Sequence, residues 1–162
     1  ARSFGLSHVF PFPGNVKISS MKLRIYADTS VIGGCFDDKF KDTSRLLLEK
    51  FKKGEMVLVL SDLTQLEIKD APLHVQAMVK TLPETHIERV VLTKEAADLA
   101  KMYIAHGIVR KASLADAQHI ALASISRVDA LVSWNFKHIV NLERIRGYNS
   151  INLRYGYPPI EI

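Results

Sequence analysis

Four side chains able to act on a phosphodiester stand along the chain: Asp28, Glu67, Asp116 and Asn135. They lie 39, 49 and 19 residues apart in turn. Three carboxylates and an amide are hard oxygen donors, the donor type preferred by Mg²⁺ or Mn²⁺. Carboxylates gathered on one rim repel one another unless a cation neutralises them. A bound cation would lower the pKa of a water and stabilise charge on a phosphate. The chemistry such a set serves is metal-assisted phosphodiester hydrolysis. Each residue also has a purely structural reading. Asp28 in Asp-Thr-Ser suits an Asx-turn or helix N-cap. Glu67 suits an ordinary exposed helix position. Asp116, three residues after Ser113, suits a capping box and a helix N-terminus, where negative charge is favoured. Asn135 suits a turn or cap.

These residues gain meaning from the elements that must position them. Lys22–Ala27 reads as a strand, followed by a bend at Gly33-Gly34. A helix capped by Asp42 or Thr43 runs to about Lys53, stopped by Gly54. The unbroken apolar run Met56–Leu60 predicts a strand covered on both faces. Ser61 caps a helix to about Lys69, and Pro72 opens another toward Leu82. Ile87–Leu92 is a third strand. Thr93 caps a helix over Lys94–Ala105 ended by Gly107, and Ser113 caps the next, Leu114–Ile125. Ala130–Ser133 is a fourth strand, Ile151–Leu153 a fifth, and the tail around Pro158-Pro159 is irregular. Strands alternating with helices predict an α/β fold, a three-layer α/β/α arrangement with a mostly parallel central sheet of 4–5 strands. In such sheets the site lies beyond the strands' carboxyl ends. Asp28, Glu67 and Asn135 fall there or on the following helix, and Asp116 opens a later one.

Composition and missing motifs narrow the classes. At 162 residues, 48% hydrophobic and 24% charged, the chain is long enough for one globular core and too apolar for disorder. No apolar run is long enough for a membrane-spanning helix. A single cysteine, Cys35, excludes an intrachain disulfide and a cysteine zinc site, and makes a reducing cytoplasm the expected compartment. There is no dinucleotide or phosphate-binding glycine loop, no GxSxG and no HExxH. Thr29-Ser30 after Asp28 does not fit a DxDxT phosphatase, and the six histidines lack tight ligand spacing. Residues 1–20, with scattered aromatics and no period, are expected to be a disordered extension or vector-derived arm. The domain is expected to span 21–155, with 156–162 as tail. Without Arg2 and Lys17 the net charge falls from +5 to +3 (20 Lys+Arg against 17 Asp+Glu), so basicity alone is a weak argument for a polyanionic partner.

The segments DTSVIGG (28–34), SDLTQLEI (61–68), DAQHIALA (116–123) and DALVSWNFKHI (129–139) together resemble PIN domains, in order and spacing. The similarity runs from Met21 to about Leu153 and is to stand-alone prokaryotic members related to VapC-type toxins. The resemblance implies a Mg²⁺- or Mn²⁺-dependent endoribonuclease, with Asp28, Glu67 and Asp116 as metal-binding acids. It implies that Ser30 orients a ligand or contacts phosphate. Asn135 stands where many relatives have a fourth aspartate, which makes one well-held ion the expectation. An antitoxin partner and a homodimer also follow from the resemblance; the helices between Leu73 and Ala105 offer apolar faces that pair or serve as core.

Around this set, Lys137 and His138 are candidates for contact with the RNA backbone, against a solvated lysine and a packing histidine. Arg110 and Lys111 are a candidate phosphate-contacting pair, against simple surface charge. Trp134 stacks a base or packs at the rim, and packing is the expected role. His119 is expected to hydrogen-bond Asp116 or to pack, and Asp129 to be a structural turn acid. Two other functions compete with the toxin: a non-toxin RNA- or DNA-processing nuclease, and a PIN-like RNA- or protein-binding module that no longer cuts.

Overall fold

A computed structural model describes residues 21–162; the expected N-terminal arm lies outside the described residues. Four strands, β1 (Arg24–Ala27), β2 (Val57–Ser61), β3 (Ile87–Val90) and β4 (Ala130–Val132), form one parallel sheet in the order β3-β2-β1-β4. Seven α-helices connect and flank them: α1 (Thr29–Gly33), α2 (Lys41–Lys52), α3 (Asp62–Lys69), α4 (Leu73–Lys80), α5 (Lys94–Ala105), α6 (Leu114–Ile125) and α7 (Leu142–Arg154).

The layers follow from alternation along the strands. Ile25 and Ala27 of β1 and Leu58 and Leu60 of β2 face one side, where Val31, Ile32, Phe51, Ile68 and Val75 of α1 to α4 cover them. Tyr26, Val59 and Leu131 face the other side, under Leu99 and Tyr103 of α5, Ile120 of α6 and Tyr148 and Ile151 of α7. Both faces are covered, so β2 reads as a continuous apolar run rather than an alternating one.

Three local expectations are corrected. The fifth strand does not form: Ile151–Leu153 belongs to α7. Tyr148 and Ile151 are one helical turn apart and both buried, a helical spacing masked in sequence by weak helix formers. Gly147 interrupts that helix pattern for a packing reason, since a Cβ there would stand 2.8 Å from Ile108 Cγ2. Asn141 caps α7, accepting from Arg144 N. Next, Ser113 makes no capping hydrogen bond to α6, and α2 begins at Lys41 without a side-chain cap. Finally, the Gly33-Gly34 bend is the end of α1 running into a single 3₁₀ turn, Gly34–Phe36. The caps by Ser61 and Thr93 form as read. The tail has neither helix nor strand, yet it is held: Leu131 N donates to Glu161 O at 2.8 Å, and Ile160 is buried.

Arg24 fastens the sheet's amino-terminal end. Its guanidinium donates to Glu88 of β3 at 2.6 and 2.7 Å, and to the carbonyls of Ser126 and Arg127 after α6. The hydrogen bond from Arg24 holds the Glu88 carboxyl below its usual range. A depressed carboxylate stabilises the fold above its unfolded pKa, and that stability is lost as pH falls through the folded value. Both side chains are about one-third exposed, which limits the effect. Glu88→Gln is therefore expected to lower stability by about 0.5–1 kcal/mol at neutral pH. In denaturant melts across pH, the gap from wild type should close below the ordinary glutamate range.

Candidate active site

The strand order places a topological switch between β1 and β4: the chain winds one way from β1 to β2 and β3, and β4 joins on the other side. Ligand crevices in parallel sheets open outside the carboxyl ends of the strands at such a point. Asp28 is the first residue after β1, and Ser133 the first after β4.

Asp28 is 5% exposed, so its charge must be compensated. Ser133 Oγ donates to its Oδ2 at 2.6 Å, while Ser30 N donates to Oδ1 at 3.1 Å and Ser30 Oγ also donates to Oδ1. Asp28 is thus the N-cap of α1 and a carboxylate in the crevice at once. Ser30 accepts from Trp134 N at 2.9 Å, tying the exit of β4 to α1. No ligand contact is needed for Ser30 to have a structural role.

Asp116 lies in the first turn of α6. Asn135 Nδ2 donates to its Oδ1 at 2.8 Å, and Asn135 Oδ1 accepts from His138 N at 3.1 Å. Asn135 therefore aims its amide at the acid while capping its own turn. Burial pushes the Asp116 carboxyl above its usual range; His138 and His119 oppose the rise, and the charges of Asp28 and Glu67 add to it. Asp28 and Glu67 are thus each within electrostatic reach of Asp116.

Glu67, in the last turn of α3, has a side chain 41% exposed. His119 Nε2 donates to its Oε1 at 3.2 Å, and Thr29 Oγ1 donates to Oε2. The His119 hydrogen bond, with Thr29 behind it, holds this carboxyl below its usual range against the effect of burial. His119 does not bond Asp116 as the sequence suggested. It bonds Glu67 on one nitrogen and Tyr26 on the other, Tyr26 Oη lying 2.6 Å from Nδ1. Tyr26 Oη is also 2.7 Å from Ser61 Oγ, which accepts from Thr64 N at 3.1 Å. Burial raises the Tyr26 pKa, so its hydroxyl keeps its proton. With a neutral imidazole, one proton assignment satisfies the whole chain. Ser61 donates to Tyr26, Tyr26 to His119 Nδ1, and His119 Nε2–H to Glu67. A buried relay of donors thus runs from the core beneath β2 out to one rim carboxylate.

Among the described residues, no three Asp, Glu, His or Cys side chains close into a metal cage. The donor set nevertheless suits a small hard cation, because Mg²⁺ usually keeps several waters and takes only one or two carboxylates. Asp28 and Asp116 are the acids able to supply them. Asp116 Oδ2 accepts no hydrogen bond among the described residues, whereas both oxygens of Glu67 are engaged, by His119 and Thr29.

A basic cleft of about 290 Å³ lies beside this rim, lined by Arg110, Ser113, Lys137, His138 and Arg144. None of its Arg or Lys residues forms an ion pair among the described residues. His138 Nδ1 is buried there without a partner. Of the basic residues singled out in the sequence, Arg110, Lys137 and His138 come together. Lys111 does not: it lines a separate apolar hollow with Ile104 and Leu114 between α5 and α6. A larger hollow of about 500 Å³ sits between α5 and the tail and shares no residue with the rim. Asp129 has the structural part expected of it, accepting from Arg24 N at 2.7 Å.

Ser133, Thr29 and Arg144 were not legible as site residues. Ser133 had a signal, being the residue after a strand in the sequence VSWN. Thr29 follows the candidate acid directly. Arg144 could not be placed, because the helix that carries it was not read.

Sequence comparison finds no matching family model and no matching curated protein. Solved structures do match. One is VapC20 of Mycobacterium tuberculosis, a sarcin-ricin loop cleaving toxin, at TM-score 0.52 and 17% identity, covering 70% of this chain and 91% of that one. Another is VapBC2 of Rickettsia felis bound to a promoter DNA fragment, at TM-score 0.51 and 14% identity, covering 72% and 93%. At these identities the likeness shows the fold alone: the chain has a PIN-like fold, similar to that of these structures. No described helix is long and apolar enough to cross a membrane.

Proposed function

We propose that this protein is an endoribonuclease dependent on Mg²⁺ or Mn²⁺ and acts as the toxin of a toxin–antitoxin pair. What supports the enzymatic reading is the buried Asp28 carboxylate at the β1/β4 switch, with its charge and that of Glu67 raising the Asp116 carboxyl. A purely structural rim has little use for a buried acid and a second acid within its reach. The toxin assignment rests on the shared fold with VapC-type proteins, one of them solved as a VapBC complex.

In this reading Asp28 and Asp116 hold the cation, which when bound supplies an activated water and charge neutralisation at the scissile phosphate. Ser30 and Ser133 fix the Asp28 carboxylate by donating to both oxygens. Asn135 fixes Asp116 and leaves its outer oxygen free to bind. Glu67, kept ionised and oriented by His119, accepts a hydrogen bond from the attacking water. Arg110, Lys137, His138 and Arg144 take the neighbouring phosphates of the strand.

The test is incubation of the full chain with a mixed RNA panel in Mg²⁺, Mn²⁺ or EDTA. The expected result is cleavage in either cation and none in EDTA. Equal cleavage in EDTA would remove the metal from the account, and none under any cation would favour a binding module. Co-purification with a small protein encoded beside it would support the toxin role.

A further inference from the structure

After β4 the chain reads Ser133-Trp134-Asn135-Phe136, and the residues at odd and even places go to different work. Ser133 and Asn135 hydrogen-bond Asp28 and Asp116. Trp134 and Phe136 instead join Phe40, at the start of α2, in an aromatic cluster. The Phe40 and Trp134 rings stack at 4.6 Å between centroids and 11° between planes, and Phe136 leans on both at 6.0 and 6.2 Å.

The cluster has a fixed floor. Trp134 Nε1 donates to the fully buried Ser44 Oγ at 2.9 Å. Gly34 lays bare backbone against the indole: a Cβ there would stand 2.7 Å from Nε1 and 2.8 Å from Cδ1. The outer part is open, with Phe136 50% exposed. The open ring of Phe136, set on an anchored layer, leaves an aromatic surface free to stack. The surroundings favour a polyanion. Lys39 Nζ lies 5.2 Å from the Phe40 centroid, Lys137 follows Phe136, and beyond it lies the basic cleft with Arg110 and Arg144. Phe136 and Lys137 are neighbours in the chain, so the platform adjoins the cleft beside Asn135, which bonds Asp116.

We propose that Phe40, Trp134 and Phe136 form a stacking platform for the nucleobase next to the scissile phosphate of single-stranded RNA. Its place beside the scissile bond rests on the ribonuclease reading. Aromatic faces stack any base, and each such contact carries substantial affinity. A base platform adjoining a phosphate-binding cleft would seat the base and the backbone of one strand together. Such a site would select unpaired RNA, because a base in a duplex is not free to stack on protein.

Trp134 is the chain's only tryptophan, so its emission reports directly on the platform. The experiment titrates the full chain, in EDTA, with two strands of equal length and charge, about six nucleotides long. One is oligoadenylate, the other an abasic phosphodiester. Wild type is expected to bind the base-bearing strand about tenfold more tightly, with Trp134 emission quenched only by that strand. Phe136→Ala should abolish most of this preference while leaving affinity for the abasic strand and the melting temperature unchanged. Phe136→Tyr should restore it. Equal affinity of wild type for the two strands would overturn the proposal, as would a preference undiminished in Phe136→Ala. Failure of both strands to bind would also overturn it and point to a protein as the occupant. Binding in EDTA is independent of cutting: base preference without cleavage would sink the ribonuclease reading alone, and cleavage without base preference would sink the platform alone.

Discussion

Asp116→Asn is expected to lower metal-dependent RNA cleavage by about a hundredfold or more and yet leave the fold as stable as before, or more so. The loss follows from charge: a neutral amide oxygen binds a divalent cation more weakly than a carboxylate does, and Asp116 has the rim oxygen left open among the described residues. Removing even an outer partner of a metal ligand typically costs about 10–100-fold, so removing a ligand should cost at least that. The stability gain follows from the same environment. Burial raises the Asp116 pKa, and the charges of Asp28 and Glu67 raise it further. An acid with a raised folded pKa is ionised in the native state only at the expense of stability. That penalty appears as pH rises past its unfolded value and is absent below it. The substituted amide keeps an oxygen for Asn135 Nδ2 and carries no charge. Wild type and variant should therefore melt together in acid, with the variant equal or higher at neutral pH in the absence of divalent cation. A variant that melts early and cuts normally would make Asp116 the capping acid that its sequence position also suggested.

Tyr26→Phe should produce the second large effect, from a residue well inside the core. Loss of the hydroxyl leaves His119 Nδ1 and Ser61 Oγ without their shared partner in a buried site. A buried polar group left unpaired costs about 1–3 kcal/mol, which in a domain of this size is a fall of roughly 3–10 °C in melting temperature. The functional consequence runs through His119. The Glu67 carboxylate still holds the Nε2–H, but without Tyr26 the ring loses its second anchor and its orientation toward Glu67 loosens. Cleavage is expected to fall about tenfold with the Mn²⁺ requirement unchanged, because the group disturbed orients the water rather than the cation. The wild-type rate with lowered stability would confine the Ser61–Tyr26–His119 relay to the core.

The sequence carried the sheet because each strand has its own signature. Lys22–Ala27 and Met56–Leu60 were bounded by turns and rich in β-formers, and the alternation with capped helices left a parallel sheet as the natural arrangement. The helix α7 escaped because Gly147, Asn149, Ser150 and Asn152 are all poor helix formers. Tertiary contacts choose them there: Gly147 admits Ile108, and Asn152 donates from the core to Ser124 Oγ and accepts from Tyr103. The candidate acids were legible by their positions after strands and on helices. What each acid touches was not, because a hydrogen bond such as Ser133 to Asp28 joins residues 105 apart in the chain. The assignment of His119 went astray for a related reason. Helical spacing put it near Asp116, while the fold turned its ring toward Tyr26 and Glu67. Lys111 stands next to Arg110, and adjacency alone suggested a pair; the 3₁₀ turn that begins at Lys111 sends the two to different hollows.

The most direct test of the central claim compares wild type with Asp28→Asn on the same mixed RNA panel, in Mn²⁺ and in EDTA, with melting curves taken alongside. Asp28 is the buried acid at the switch point, and an amide there can still cap α1 through its oxygen while its NH2 donates to a turned Ser133 hydroxyl. The account requires cleavage by wild type in Mn²⁺, none in EDTA, and loss of cleavage in the folded variant. Cleavage that survives Asp28→Asn in a folded protein would contradict it, and would place any nuclease activity somewhere other than the β1/β4 crevice.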